Sequence, residues 1–233
     1  AAVLTLTAWS ADQIADHLGV PASRIRVIAP AVDRHPALGG VPPAGPADDT
    51  SREPLALYAG SIFNRRNLPA LLRGFARLVR TVPEARLAIA GENRTHPRQD
   101  LTELVAALGV RRHVTLYDYA DEATLGGLYA RARVFAFLSA YEGFGLTPLE
   151  AMARGVPAVL LDTPVARESC ADAADYVQDP DDHHAVAAAL GRLLVEEAYH
   201  AARARAGRAR AACFSWDRTA SETFDALRTA AGD

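Results

Sequence analysis

From residue 55 onward, short apolar runs alternate with segments of helical period, and this alternation restricts the fold more than any other feature. Residues 55–59, 86–90, 113–117, 134–138 and 158–161 are largely apolar runs of four or five residues. Residues 68–80, 100–108 and 122–132 lie between them with apolar positions at helical spacing, the second stopped by Gly109. Strands without polar alternation are buried on both faces, and strands that alternate with helices build a parallel sheet. The expected class is therefore α/β, a Rossmann-like parallel sheet with helices on both faces. Such sheets bind ligands beyond the C-terminal strand ends, near the switch in strand order. The loops starting at Gly60, Gly91, Tyr117 and Ser139 are expected to share that rim.

The Ser139 loop runs into YEGFGLTPLEAMARGVP, residues 141–157. Gly143 and Gly145 give a loop with little side-chain bulk. Thr147-Pro148-Leu149-Glu150 reads as a helix start: Thr147 at the N-cap, Pro148 at the first helical position, Glu150 closing a capping box. A strand, a glycine loop and a helix N-terminus together make an anion site. Glu142 and Glu150 bracket it with seven residues between them. Ionised carboxylates only accept hydrogen bonds, so they suit hydroxyl-rich groups: a sugar on one side of a diphosphate and a ribose on the other. The plainer reading makes Glu150 a cap and Glu142 a surface acid, but leaves the glycines without a reason.

A second signal follows the first strand of this region, Gly60-Ser61-Ile62-Phe63-Asn64-Arg65-Arg66-Asn67. Two arginines at a strand end can grip a diphosphate with forked donors. Alone they would read as a solvated basic turn. With a glycine loop on the same rim they read as a phosphate site. Gly91 in the next loop is expected to let a nucleotide approach the backbone closely. Tyr119 could stack on a base or simply cover a strand end.

The run E-G-F-G-L-T-P-L-E-A-M-A-x-G-V-P resembles the E-x7-E signature of the family 4 retaining glycosyltransferases, which have the GT-B fold. The arginine turn resembles that family's phosphate-binding turn, with Ser61 where many members carry Arg and Arg66 where many carry Lys. The resemblance implies a C-terminal donor-binding domain whose donor contacts are Gly60, Arg65, Arg66, Tyr119, Glu142, Gly143, Phe144, Gly145, Leu146, Thr147 and Glu150. It implies that Glu142 orients the donor sugar, Glu150 holds the ribose diol, and Glu142, Arg65 and Arg66 carry the chemistry. The family turn that matches residues 117–120 meets the base, mostly through backbone groups. It further implies retention of anomeric configuration, with acceptor attack on the face where the leaving group departs and no need for Glu142 to be a covalent nucleophile.

The organisation expected from the same resemblance has four parts. Residues 1–29 are the end of an N-terminal acceptor domain most of which the chain lacks, the alternative being a small protein with an unusual start. Within them residues 3–7 read as a strand, Ser10-Ala11-Asp12-Gln13 as a capping box, and residues 24–28 as a second strand. Residues 30–54, rich in Pro and Gly, are a linker that builds no core, with Asp48 and Asp49 solvated. Residues 55–213 are the donor-binding domain. Residues 214–233 are a helix that returns toward the N-terminal domain, with Ser215 as its N-cap and Trp216 as a packing anchor.

Composition narrows the partners. A net charge of −3 gives no global reason for nucleic acid or an anionic membrane. Arg203, Arg205, Arg208 and Arg210 have no interleaved aromatics and read as a solvated helix. Cys170 and Cys213 are too far apart for a C-x-x-C pair, which points to a reducing compartment and no zinc. Asp179-Pro180-Asp181 has the D-x-D form of a metal site but precedes a helix at residues 183–195, where acids cap. Adjacent His183 and His184 do not share a helical face. No metal and no cofactor beyond the nucleotide-sugar substrate are expected. The acceptor would be a glycan, a lipid or a small molecule bound by the N-terminal domain. The expected location is the cytoplasm or the membrane surface. Two other functions compete. Gly143-Phe144-Gly145 with Asp162 resembles part of a dinucleotide-binding oxidoreductase, although Pro148 holds the third glycine position. A non-catalytic nucleotide-sugar binding module would share every donor-site residue.

Overall fold

The five apolar runs all form strands, joined by a sixth that the sequence hides. The computed structural model describes residues 2–32 and 52–232. The main body is β3 (Leu55–Ala59), α2 (Leu68–Leu78), β4 (Arg86–Ala90), α3 (Leu101–Ala107), β5 (Val114–Tyr117), α4 (Glu122–Arg131), β6 (Val134–Phe137), α5 (Leu146–Ala153), β7 (Ala158–Leu161), α6 (Pro164–Cys170), β8 (Asp175–Val177), α7 (His183–Val195) and α8 (Glu197–Ala211). Before it come β1 (Val3–Thr5), α1 (Ala8–Leu18) and β2 (Ile25–Val27), and after it α9 (Trp216–Ala231).

The six strands pair in parallel in the order β5-β4-β3-β6-β7-β8. The chain builds outward from β3 through β4 to β5, then returns to the other side of β3 with β6. The order therefore switches between β3 and β6, and the loops after these two strands flank the switch. All residues of β3, β6 and β7 are buried, as their unbroken apolar runs require. Tyr58, Phe137, Phe135 and Tyr129 stack in sequence with ring centroids 5.8, 5.9 and 6.0 Å apart, each contact worth about 1 kcal/mol beyond area burial.

α2 and α7 cover one face and meet at a glycine. A Cβ on Gly74 would lie 2.4 Å from Val186 Cγ1 and 2.7 Å from Val186 Cβ. A β-branched side chain fixed in a helix cannot swing clear. Gly74→Ala should therefore push the helices apart. Overpacking costs about 1–3 kcal/mol, and better helix propensity returns about 1, leaving a net loss of up to about 2 kcal/mol in urea unfolding. A variant more stable than the parent would show that α2 and α7 separate freely.

β1 and β2 pair in parallel as a separate two-stranded sheet. The strand ends at Thr5, two residues earlier than expected. Thr7, not Ser10, is the N-cap of α1, its hydroxyl accepting from the Ser10 amide. The expectation that residues 30–54 build no core is corrected at both ends. Ala31, Val32 and Arg52 are buried, and Val32 belongs to the main core. Arg52 donates through Nη1 to the carbonyls of Tyr129 and Ala132 at the C-terminal end of α4, and through Nη2 to that of Arg154 at the end of α5. Pro36, Pro42, Pro43 and Pro46, with Asp48 and Asp49, lie outside the described residues.

The arginines of α8 are not all solvated. Arg203 pairs with Asp175 and donates to Asp172 O, and Arg210 donates to the carbonyls of Glu168 and Ser169. Arg203 fastens α8 to the β8 edge, and Arg210 fastens it to α6. Asp179 and Asp182 do turn and capping work: Asp179 accepts the Asp181 amide, and Asp182 caps α7. α9 follows Ser215, which occupies the N-cap position but makes no side-chain capping bond. Thr219 Oγ1 donates to Ala29 O at 2.7 Å, so α9 touches the end of the N-terminal segment. Trp216, expected as an anchor, is 48% exposed. Among the described residues, no helix is long and apolar enough to cross a membrane.

Candidate active site

The loops after β3 and β6 are stitched together across the strand switch. Residues Asn64–Arg66 form a single 3-10 turn, and Asn67 follows in the left-handed region with φ 53°. Asn67 Nδ2 donates to Leu138 O at 2.8 Å, and the Ala140 backbone amide donates to Arg65 O at 2.8 Å. Arg66 is thereby delivered to Glu142, with Nε 2.9 Å from Oε1 and only 12% and 19% of the two side chains exposed. Ser139 Oγ donates to the same carboxylate oxygen at 2.6 Å. The Arg66 guanidinium lies 4.4 Å over the Phe137 ring. Beneath it the Tyr58 hydroxyl donates to Ser61 O, and burial pushes the phenol up to about 12 although Arg66 pulls the other way. Tyr58 is therefore neutral and acts as packing.

Arg65 takes a different position. It is exposed, donates through Nε to Tyr141 O at 3.1 Å and lies over the Phe63 ring. One arginine is thus sheltered and paired, and its neighbour faces solvent at the mouth of the site. Gly60 has φ 128°, and a Cβ there would lie 3.5 Å from Arg66 Nη1, so its backbone faces the guanidinium. A Cβ on Gly91 would meet the Gly60 carbonyl oxygen at 2.0 Å, so its bare face admits the neighbouring loop, and the residue also lines the hollows described below.

The helix after the glycine loop starts one residue before Thr147. Gly145, at φ 90°, is the N-cap of α5, and no side chain caps this end. Thr147 lies inside the first turn, so no capping box forms and Glu150 is not its far end. First-turn amides without a side-chain acceptor are what an anion site requires. Glu150 is half-buried in the second turn of α5. Its charge adds to burial in holding the Tyr129 phenol far above its usual range. Phe144 is buried, edge-on to Phe214 at 5.3 Å, and packs inward rather than lining the rim. Gly143 and Leu146 are exposed. Cys170 lies buried below the loop, and burial pushes its thiol up to about 11, so it is no thiolate nucleophile at neutral pH.

Two hollows continue along the rim beyond β4 and β5. One of about 250 Å³ is lined by Gly60, Gly91, Glu92, Asp118 and Tyr119. The other, of about 400 Å³, has an apolar floor of Ile62, Ile89 and Leu116 and a polar edge that includes Gln99 and Asp118. Its loop is knotted by Asn93, whose Oδ1 accepts from the amide and hydroxyl of Thr95 and whose amide donates to Gln99 O. Gln99 Oε1 is buried without a hydrogen-bond partner among the described residues. Tyr119 is 83% exposed and does not cover the strand end.

The structure therefore gathers Gly60, Arg66 and Glu142, sets Arg65 at the mouth, and leaves Tyr119 and Leu146 in solvent. Sequence reasoning missed Ser139 and Asn67 as site residues. Both stand where a strand or turn ends, and an exposed-looking polar residue at such a position was the available signal. Asp162, the acid that a dinucleotide site would need, is held by both Arg167 Nε and Nη2 at 2.7 Å.

A parallel sheet with an uncapped helix start and a paired arginine at its switch point has the form of one class: α/β domains that bind a ligand at the strand ends. Within it, this chain belongs to the glycosyl transferases group 1 family, whose pattern matches residues 47–210. It is 32% identical over 173 residues to the O-antigen chain mannosyltransferase B of Escherichia coli, covering 74% of this chain and 45% of that protein. The chain thus spans about half the length of this relative. Its fold is that of GT-B glycosyltransferases. Sucrose-phosphate synthase from Thermosynechococcus elongatus superimposes with a TM-score of 0.76 at 23% identity, over 99% of this chain and 58% of that one. The pneumococcal O-GlcNAc transferase GtfA, solved with UDP and GlcNAc, superimposes with a TM-score of 0.79 at 18% identity, over 99% of this chain and 45% of that one.

Proposed function

We propose that this chain is the donor-binding part of a family 4 retaining glycosyltransferase, which moves a sugar from a nucleotide-diphosphate sugar to a glycan, lipid or small-molecule acceptor without a metal. The observation that carries the reading is the sheltered Arg66–Glu142 pair at the strand switch, beside the α5 N-terminus that no side chain caps. Breaking the anomeric bond builds negative charge on the diphosphate and positive charge on the sugar. Arg66, Arg65 and the first-turn amides of α5 are fixed donors for the first, and fixed donors need no reorganisation as the charge develops. Glu142 accepts from sugar hydroxyls and is held for that by Ser139. Glu150, farther along α5, takes the ribose diol. The base occupies the hollows beyond β4 and β5, where the unpartnered Gln99 oxygen awaits an N–H donor. The transferase solved with UDP and GlcNAc supports a nucleotide and a sugar bound on this fold. In this reading the acceptor binds outside the donor-binding residues.

Isothermal titration with UDP, GDP, ADP and NAD, without and then with magnesium, tests this. One nucleoside diphosphate should bind in clear preference, at an affinity that magnesium leaves unchanged, and NAD should not bind. Selective NAD binding, or binding that requires magnesium, would overturn the corresponding part of the reading.

A further inference from the structure

Little apolar packing holds the β1–α1 unit. α1 buries none of its residues, and the β1–β2 sheet is separate from the main one. Its placement depends on polar contacts at its first turn. Glu168, on α6, accepts from the backbone amides of Ala8 (Oε1, 2.6 Å) and Trp9 (Oε2, 3.1 Å). The carboxylate thus sits on the N-terminus of α1, where the helix dipole favours it. Glu168 is itself held from behind, because Arg210 donates to its carbonyl and to that of Ser169 at 2.6 and 2.8 Å.

The same turn touches the glycine loop twice. Fully buried Thr7 has its Oγ 3.2 Å from Gly143 O. The Trp9 ring meets the Tyr141 ring edge-on, with centroids 5.5 Å apart. Tyr141 and Gly143 are the two neighbours of Glu142. The turn that Glu168 holds therefore rests on both sides of the residue paired with Arg66.

We propose that Glu168 is a positioning residue for this site: it clasps the first turn of α1 onto the glycine loop and so fixes the backbone that aims Glu142. The proposal rests on the reading of Glu142 as the group that meets the donor sugar. The clasp bonds one exposed amide and one part-buried amide at the protein surface, which water can otherwise reach, so its loss should change loop geometry more than global stability.

The test uses the full chain with Trp216→Phe, which leaves Trp9 as the only one of the two tryptophans. Adding Glu168→Ala should shift Trp9 emission to longer wavelength as the ring leaves Tyr141, with the thermal midpoint nearly constant. Titrations with UDP-glucose, GDP-mannose and ADP-glucose should show the preferred nucleotide sugar losing on the order of tenfold in affinity, as expected for a displaced contact. The matching free nucleoside diphosphate, held by Arg66 and the α5 start, should bind as before. Glu168→Gln keeps an acceptor oxygen and should fall between. Unchanged Trp9 emission in Glu168→Ala would overturn the clasp. Shifted emission with an unchanged ratio of sugar-nucleotide to nucleotide affinity would overturn the positioning role. If the parent chain binds no nucleotide, the site reading fails and the positioning role with it, while the emission result still reports the clasp.

Discussion

Gly91→Ala is expected to destabilise the fold by about 3 kcal/mol and to weaken nucleotide binding in the same variant. The added methyl would meet the Gly60 carbonyl oxygen at 2.0 Å, and both partners are backbone. No side-chain rotation relieves that contact. The two loops also cannot part cheaply, because they are zipped beyond their strands. The Gly60 amide donates to Ala90 O, the Ile62 amide to Glu92 O and the Arg94 amide to Ile62 O, all within 2.8–2.9 Å. Relief would break some of these bonds at about 1 kcal/mol each or tilt the turn that carries Arg66. For a domain with a total stability of about 5–15 kcal/mol this is a large fraction, and urea unfolding should show it as a lower midpoint at an unchanged slope. A variant with parental stability would mean that the loops separate easily and that the rim is less rigid than its hydrogen bonds imply.

The same loop shows how far a sequence carries such a reading. Strands buried on both faces announce themselves, since nothing polar interrupts 55–59 or 158–161. β8 does not: its three residues, Asp-Tyr-Val, are held at the sheet edge by β7, and a three-residue run that opens on an acid is too short to show a strand period, although Tyr and Val suit strands. α6 was legible from Thr163 at its N-cap and Pro164 after it, a start signal that went unread. Helix starts were misplaced where a motif fitted and a neighbour decided. Ser10 begins a good capping box, but its own amide is taken by Thr7. Thr147 precedes a proline, but the left-handed Gly145 turns the chain first. The site residues were legible as types because an arginine pair and a glycine loop each have a chemistry. Which of them face each other was not, since residues 66 and 142 meet only because β3 and β6 are neighbours.

That meeting leads to opposite expectations for its two partners. Arg66 is paired with Glu142 at 2.9 Å, so a diphosphate must compete with a carboxylate for the guanidinium. Arg66→Ala removes the donor and leaves a sheltered carboxylate beside the phosphates. Charge-assisted hydrogen bonds are worth about 1.5–3 kcal/mol, so nucleoside diphosphate affinity should fall on the order of a hundredfold. Glu142→Gln keeps the shape and removes the competing charge. Free nucleoside diphosphate should then bind more tightly, by up to about tenfold, because Arg66 is released and a like charge is gone. The donor sugar should lose its acceptor group at the same time, so the nucleotide sugar should no longer bind better than the nucleotide alone. Glycosyl transfer measured with this change should drop by about 10²–10³, the usual effect of removing one positioned polar group. Titration of both variants with nucleotide and nucleotide sugar separates these effects. If Glu142→Gln weakens the free nucleotide as much as Arg66→Ala does, then Glu142 serves only to hold Arg66 in place, and its assignment to the sugar is wrong.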